Sequence, residues 1–188
     1  MTKICIVSPS LKSGGIERAL SVLVTQFVAK GYAVDVVCCL RGEHFYTLPK
    51  TVSVYEPHFK RTTSLLNKLV YYPRLLGYIR KQVKYLNPDK ILVFGDWFSP
   101  VTLLALLGTK YPVYISDRTI PNYKFKFPIP QLKQWLYPKS AGFIAQTQRA
   151  SEHKKNQFGE ALNIKVIPNA LPEMKFSRTK AKEKMILY

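Results

Sequence analysis

Short apolar runs alternate along this chain with polar segments of helical period. Ile4-Cys5-Ile6-Val7 is continuously apolar, as a strand covered on both faces requires. Ile16, Leu20, Leu23, Val24, Phe27 and Val28 then recur every three or four residues. That spacing predicts an amphipathic helix ending at Gly31, a natural residue just past a helix terminus. Further strands are expected over residues 33–40, 51–55, 90–94, 113–116, 141–145 and 164–167. Helices are expected over 64–86, around 103–107, over 131–137 and over 149–158. In the longest of these, Leu69, Tyr72, Leu76, Ile79, Val83 and Leu86 are apolar at helical spacing. Pro73 is expected to kink that helix or split it, because it lacks an N–H and crowds the preceding turn. The rhythm is that of an α/β fold: a doubly wound, mostly parallel sheet with helices on both faces. No internal repeat or low-complexity tract interrupts it.

The end of the chain leaves that rhythm. Pro168-Asn169-Ala170-Leu171-Pro172 closes the last strand, residues 173–184 are polar and charged, and Met185-Ile186-Leu187-Tyr188 is apolar again. The expected organisation is one domain over 1–170, a linker over 171–184 and the opening of a further domain at 185–188. The other reading is a final strand that completes the same sheet.

Composition sharpens the picture. With 188 residues and 47% hydrophobic content, the chain can bury a real core, which excludes wholesale disorder. Its 29 Lys and Arg against 11 Asp and Glu give a formal net charge of +18, which calls for an anionic partner. No apolar stretch is long enough to span a bilayer, and Met1 leads almost directly into a strand, so no secretory signal is expected. Cys5, Cys38 and Cys39 fall in strands and read as small buried hydrophobes, suited to a reducing cytoplasm.

The candidate chemistry sits where open α/β sheets place ligands, at the carboxyl ends of strands. Ser8-Pro9-Ser10-Leu11-Lys12-Ser13-Gly14-Gly15 joins the first strand to the first helix. Gly14 and Gly15 there let a backbone approach a phosphate or sugar at a helix N-terminus. The alternative is a tight turn that needs positive φ. Glu17 and Arg18 occupy the first helical turn. Glu17 is favoured there by the helix dipole alone, and Arg18 is suited to a phosphate or carboxylate. Asp96 ends the fourth strand. Asp117 and Arg118 end the fifth, where Asp117 can orient an acceptor hydroxyl and Arg118 can grip an anion, unless Asp117 only caps a turn. His44, His58 and His153 show no metal spacing, and no metal is expected.

Four segments in order resemble the retaining glycosyltransferases of family 4. Gly14-Gly15-Ile16-Glu17-Arg18 is similar to their G-G-x-E-R signature, and Asn87-Pro88-Asp89-Lys90-Ile91-Leu92-Val93 to their P-D strand. Ile144-Ala145-Gln146-Thr147 and Val166-Ile167-Pro168-Asn169-Ala170-Leu171 resemble two later segments. Lys184-Met185-Ile186-Leu187-Tyr188 looks like the first strand of their C-terminal domain. The resemblance implies a GT-B fold, of which this chain is the N-terminal, acceptor-side, Rossmann-like half. Most of the nucleotide-sugar donor site, with its E-x7-E motif, would belong to a C-terminal domain, and this chain alone should have little activity. It further implies Gly14 and Gly15 on the donor phosphates; by their positions, Arg18 is a further candidate there, Asp96, Arg118 and Glu17 are candidates for the acceptor, and Asp117 is the catalytic candidate. Asp117 stands where many relatives carry a histidine. No cofactor is implied, since the nucleotide sugar is a substrate.

Two acid-free stretches, 57–88 and 118–151, interleave cations with rings. Lys68, Arg74, Arg80, Lys81, Lys124, Lys126 and Trp135 are the candidates to face an anionic membrane, which suits a bacterial-type enzyme on the inner face of the cytoplasmic membrane. A lipid-linked or saccharide acceptor fits that setting. The alternative is a basic module that binds nucleic acid or an anionic membrane without catalysis. Against the nucleic-acid version, no RRM, KH, helix-turn-helix or zinc signature is present, so nucleic acid is not the expected partner. No Walker or G-x-G-x-x-G motif is present either, which argues against ATPase and dehydrogenase chemistry.

Overall fold

The computed structural model describes residues 1–61, 65–118 and 123–169, with backbone only for 65–67. The linker and further domain expected beyond residue 170 lie outside the described residues. Seven strands form one sheet: β1 (Lys3–Ser8), β2 (Ala33–Cys38), β3 (Ser53–Tyr55), β4 (Lys90–Phe94), β5 (Val113–Ser116), β6 (Gly142–Ala145) and β7 (Ile164–Val166). Their order is β3-β2-β1-β4-β5-β6-β7, and every pair is parallel. The helices are α1 (Gly15–Ala29), α2 (Leu65–Leu86), α3 (Phe98–Ala105), α4 (Ile129–Leu136) and α5 (Gln148–Phe158). The chain moves outward from β1 to β3, returns along α2 and moves outward the other way from β4. The order therefore reverses between β1 and β4, which opens a crevice at their carboxyl ends.

Side chains alternate across the sheet as strand geometry requires. Ile4 and Ile6 pack with Leu20 and Val24 of α1. Cys5 and Val7 pack on the other face with Leu75, Ile79 and Val83 of α2. Each of these fully buried aliphatic side chains contributes about 2 kcal/mol of apolar transfer. Cys38 and Cys39 enter opposite faces. Burial pushes the Cys5 and Cys38 thiols up to about 12, so both stay protonated and inert. Gly31 follows α1 with φ +82°, as its composition predicts.

Three elements differ from the sequence expectation. Pro73 lies inside an unbroken α2. Pro73 and Leu69, whose carbonyl loses its helical donor, both lie on the exposed side, where solvent has access to that carbonyl. α3 starts at Phe98, earlier than expected, and is buried on nearly every side. A helix without a polar face has no amphipathic period to read. α4 starts at Ile129 with Pro130 in its first turn, a position that tolerates proline. Among the described residues no helix is long and apolar enough to cross a membrane.

Candidate functional site

The loop after β1 is braced from several sides. Ser8 Oγ donates to the Ser10 carbonyl (3.0 Å), Ser10 Oγ to Glu17 Oε1 (3.1 Å) and Tyr46 Oη to the Gly14 carbonyl (3.2 Å). Gly14 has φ 179°, an extended conformation open to any residue, and Gly15 is already helical. The tight-turn reading therefore does not describe this loop, since neither glycine sits in the left-handed region. Space is what they provide. A Cβ on Gly14 would run into the Glu17 carboxylate, and a Cβ on Gly15 would meet nothing within 4 Å. Gly14 supplies no side-chain cap to the first turn of α1, whose leading backbone N–H groups have no partner within the helix. Glu17 is half-buried and holds the loop through Ser10, whereas Arg18 is exposed.

Gly95 links this loop to the end of β4. Its φ is +93°, and a Cβ there would lie 3.0 Å from Cγ of Pro9. The next residue, Asp96, is buried. Its Oδ1 accepts from Lys133 Nζ (2.8 Å) and its Oδ2 from the Arg118 backbone N–H (2.9 Å). Asp117 is 8% exposed and set among donors. Tyr137 Oη reaches its two oxygens at 2.8 and 3.0 Å, Ser99 Oγ donates at 3.2 Å, and Lys133 and Lys154 ammoniums stand 3.4 and 3.5 Å away. Burial, then the Asp96 charge, push the Asp117 carboxyl up to about 6, while Lys133 and Lys154 pull the other way. Burial and Asp117 push the Tyr137 hydroxyl well above its ordinary value. Burial lowers Lys154, with Asp117 opposing.

Arg118 turns to the opposite face of the sheet from Asp117. Its guanidinium lies 4.7 Å from the Phe94 ring centroid, Nε donates to Ser116 Oγ (3.2 Å) and Nη1 donates to Asn169 Oδ1. The Gln146 side-chain oxygen accepts from Arg118 Nε (2.8 Å) and Nη1 (3.1 Å). One guanidinium thus gathers the carboxyl ends of β4 to β7. Two of the segments that carry the family resemblance, those with Gln146 and Asn169, meet here. Thr147 beside them caps α5 by accepting from the Ala150 N–H (3.1 Å). Burial lowers the Arg118 guanidinium to about 10, still charged at neutral pH.

A cavity of about 370 Å³ opens beside Asp96 and Asp117, between residues 123–130, α4, β6 and α5. The structure thus brings Asp96, Asp117 and Arg118 together beside the Gly14-Gly15 loop. It adds Ser99, Lys133, Tyr137 and Lys154, which the sequence reading missed. A signal was present for the two lysines. Lys133 falls between Ile129 and Leu136 on the buried stripe of α4, and Lys154 precedes Phe158 by one turn on α5. A lysine in an apolar stripe requires a buried carboxylate.

The surface cations divide. Lys81 and Arg74 are exposed on α2, which also exposes Leu69 and Val70, by 74% and 50%. Lys68 is half-buried. Arg80 is tied inward instead, donating to the carbonyls of Ala105 (2.9 Å) and Leu107 (3.0 Å) at the end of α3. Lys124 and Lys126 are exposed beside Phe127, and Trp135 is half exposed on α4. His44 pairs with Glu56 at 3.2 Å.

A family profile described as Glycosyltransferase Family 4 matches residues 13–173. This chain belongs to that family. A protein of Campylobacter jejuni subsp. jejuni serotype O:2, named GalNAc-alpha-(1->4)-GalNAc-alpha-(1->3)-diNAcBac-PP-undecaprenol alpha-1,4-N-acetyl-D-galactosaminyltransferase, is 30% identical over 123 residues. Those residues are 65% of this chain and 34% of that protein, so the chain matches about a third of the relative's length. The lipopolysaccharide outer core galactosyltransferase WaaB, in its apo form, superposes with a TM-score of 0.66 at 11% identity, over 93% of this chain and 47% of that one. Anabaena Alr3699/HepE in complex with UDP and glucose gives 0.62 at 18% identity, over 91% and 45%. At these identities the likeness is one of fold, a Rossmann-like α/β unit equal to about half of each structure.

Proposed function

We propose that this chain is the acceptor-side half of a glycosyltransferase that moves a sugar from a nucleotide-sugar donor to a membrane-associated or polysaccharide acceptor. The observation that carries the reading is the meeting, at one sheet edge, of an open glycine loop at a helix N-terminus with the Asp96, Asp117 and Arg118 cluster. The uncapped N–H groups of α1 and the open side of Gly15 suit a donor diphosphate, with Arg18 exposed beside it. Arg118 places a fixed positive charge at the same edge. Asp117, with its carboxyl at about 6, is ionised at neutral pH and close enough to it to accept a proton from an attacking hydroxyl. Asp96 and Glu17 hold the two loops that shape the acceptor side. No resident cofactor or metal enters this reading.

The relative's name includes a polyprenyl diphosphate-linked glycan. By analogy, the acceptor proposed here is lipid-linked, in cell-surface polysaccharide or lipopolysaccharide assembly. The exposed Lys124, Lys126, Phe127 and Trp135 would meet the inner face of the cytoplasmic membrane. The test is donor turnover by the full-length transferase, with membrane lipids as acceptor and nucleotide release as readout. Gly15→Val fills the open side of the loop and is expected to lower turnover by roughly a hundredfold or more, because positioning terms of this kind are large. Turnover at the wild-type level in that variant would remove the loop from the site.

A further inference from the structure

The cavity between α4 and α5 holds chemistry that a neutral acceptor leaves unused. Lys124, Lys133 and Lys154 line it against two carboxylates, Asp96 and Asp117, with His153 beside them. Lys133 is committed, at 2.8 Å from Asp96. Lys154 is not matched in this way. Its ammonium stands 3.5 Å from one Asp117 oxygen and otherwise faces the rings of Tyr137 and Phe143, both at 5.4 Å, and Phe158 at 5.9 Å. An ammonium has three donors, and a ring face fills none of them as an oxygen does. On the outer wall, Tyr123 and Phe125 meet edge to face at 4.7 Å; Lys133 Nζ lies 4.1 Å from the Phe125 ring centroid, and Tyr123 is 55% exposed. An acyl chain would offer no acceptor to the remaining donors of the Lys154 ammonium. A bare phosphate would leave the aromatic wall idle. A sugar ring with an acidic substituent uses both walls, and a cavity of about 370 Å³ holds one such ring.

We infer that this cavity receives the terminal sugar of the acceptor and that this sugar is a hexuronic acid. Its ring lies against Tyr123, its carboxylate pairs with Lys154 and Lys124, and His153 and Gln157 are placed to meet its hydroxyls. The inference rests on the acceptor-side reading above, but its test needs no donor. Calorimetry on the full chain compares four probes at low salt: the methyl glycosides of glucuronate and galacturonate, methyl glucoside, and inorganic pyrophosphate. At least one uronate is expected to bind roughly tenfold tighter than the glucoside or more, as one charge-assisted contact allows. That advantage is expected to shrink with added salt and to disappear in Lys154→Met. Lys124→Gln, at an exposed position that does not threaten folding, is expected to reduce it in part. Equal binding of uronate and glucoside, no binding of either uronate, or a preference kept in both variants would overturn the inference. Tighter binding of pyrophosphate than of any uronate would overturn it as well and give the site to a phosphate. Loss of donor turnover with uronate binding intact would count against the transferase reading alone.

Discussion

Burial and the charge of Asp96 hold the Asp117 carboxyl at about 6 against an ordinary value of 3.8, in spite of two nearby ammoniums. The folded state therefore binds this proton more tightly than the unfolded chain does. The stability that Asp117 contributes is full below about pH 4 and is lost as pH rises through 6. The size is about 3 kcal/mol at 1.36 kcal/mol per pH unit. Urea unfolding of wild type and Asp117→Asn from pH 4 to 7 checks this: relative to the variant, wild type should gain stability on acidification. In the full-length enzyme, the acid limb of the pH–rate profile is expected near 6 and should vanish in Asp117→Asn. Turnover there should fall by roughly 10²–10⁴, as for loss of a general base. An unchanged profile would leave Asp117 with a structural role only. Gly95 gives a second test. Alanine at φ +93° costs about 1–2 kcal/mol from backbone strain, and its methyl would press on Pro9. A lowered melting temperature together with weaker donor turnover is the expected result for Gly95→Ala, because the end of β4 packs directly on Pro9 of the β1 loop.

At the level of elements, α2 joins the edge of the sheet to its centre and carries a proline on its exposed side. Pro73→Ala restores a backbone hydrogen bond and should raise stability by about 1–3 kcal/mol, read from the urea midpoint. Arg80→Ala removes two bonds to the end of α3 and should lower stability by about 1–3 kcal/mol. The strands were legible because burial on both faces leaves continuous apolar runs such as Ile4 to Val7. α1 and α2 were legible because each keeps a polar side. α3 was not placed correctly, since Phe98 to Ala105 is covered nearly all round and its sequence carries no period. Asp96, Asp117 and Arg118 were legible as strand-end residues. Their partners were not, because Ser99, Lys133, Tyr137 and Lys154 reach them across sequence separations of 16 to 37 residues that only the fold closes.

Across the whole molecule, a formal charge of +18 gives a long-range attraction that no single pair explains. Pelleting with anionic vesicles, weakened by salt, is the expected behaviour, with little pelleting on neutral vesicles. Replacing Lys124 and Lys126 together by Gln should weaken it by roughly thirtyfold, at about 1 kcal/mol per cation near the surface. Equal pelleting on both kinds of vesicle would remove the electrostatic account.

The chain's two tryptophans occupy unlike settings. Trp97 is wedged between Tyr72 and Phe98, with the Arg61 guanidinium 5.3 Å from its ring centroid. Trp135 is 50% exposed on α4, on the element that carries Lys133. The protein therefore contains its own pair of fluorescent reporters. Acrylamide should quench Trp135 readily and Trp97 poorly. With Trp97 replaced by Phe, a blue shift of the remaining emission on adding vesicles would time the docking of α4 on a bilayer without any attached dye.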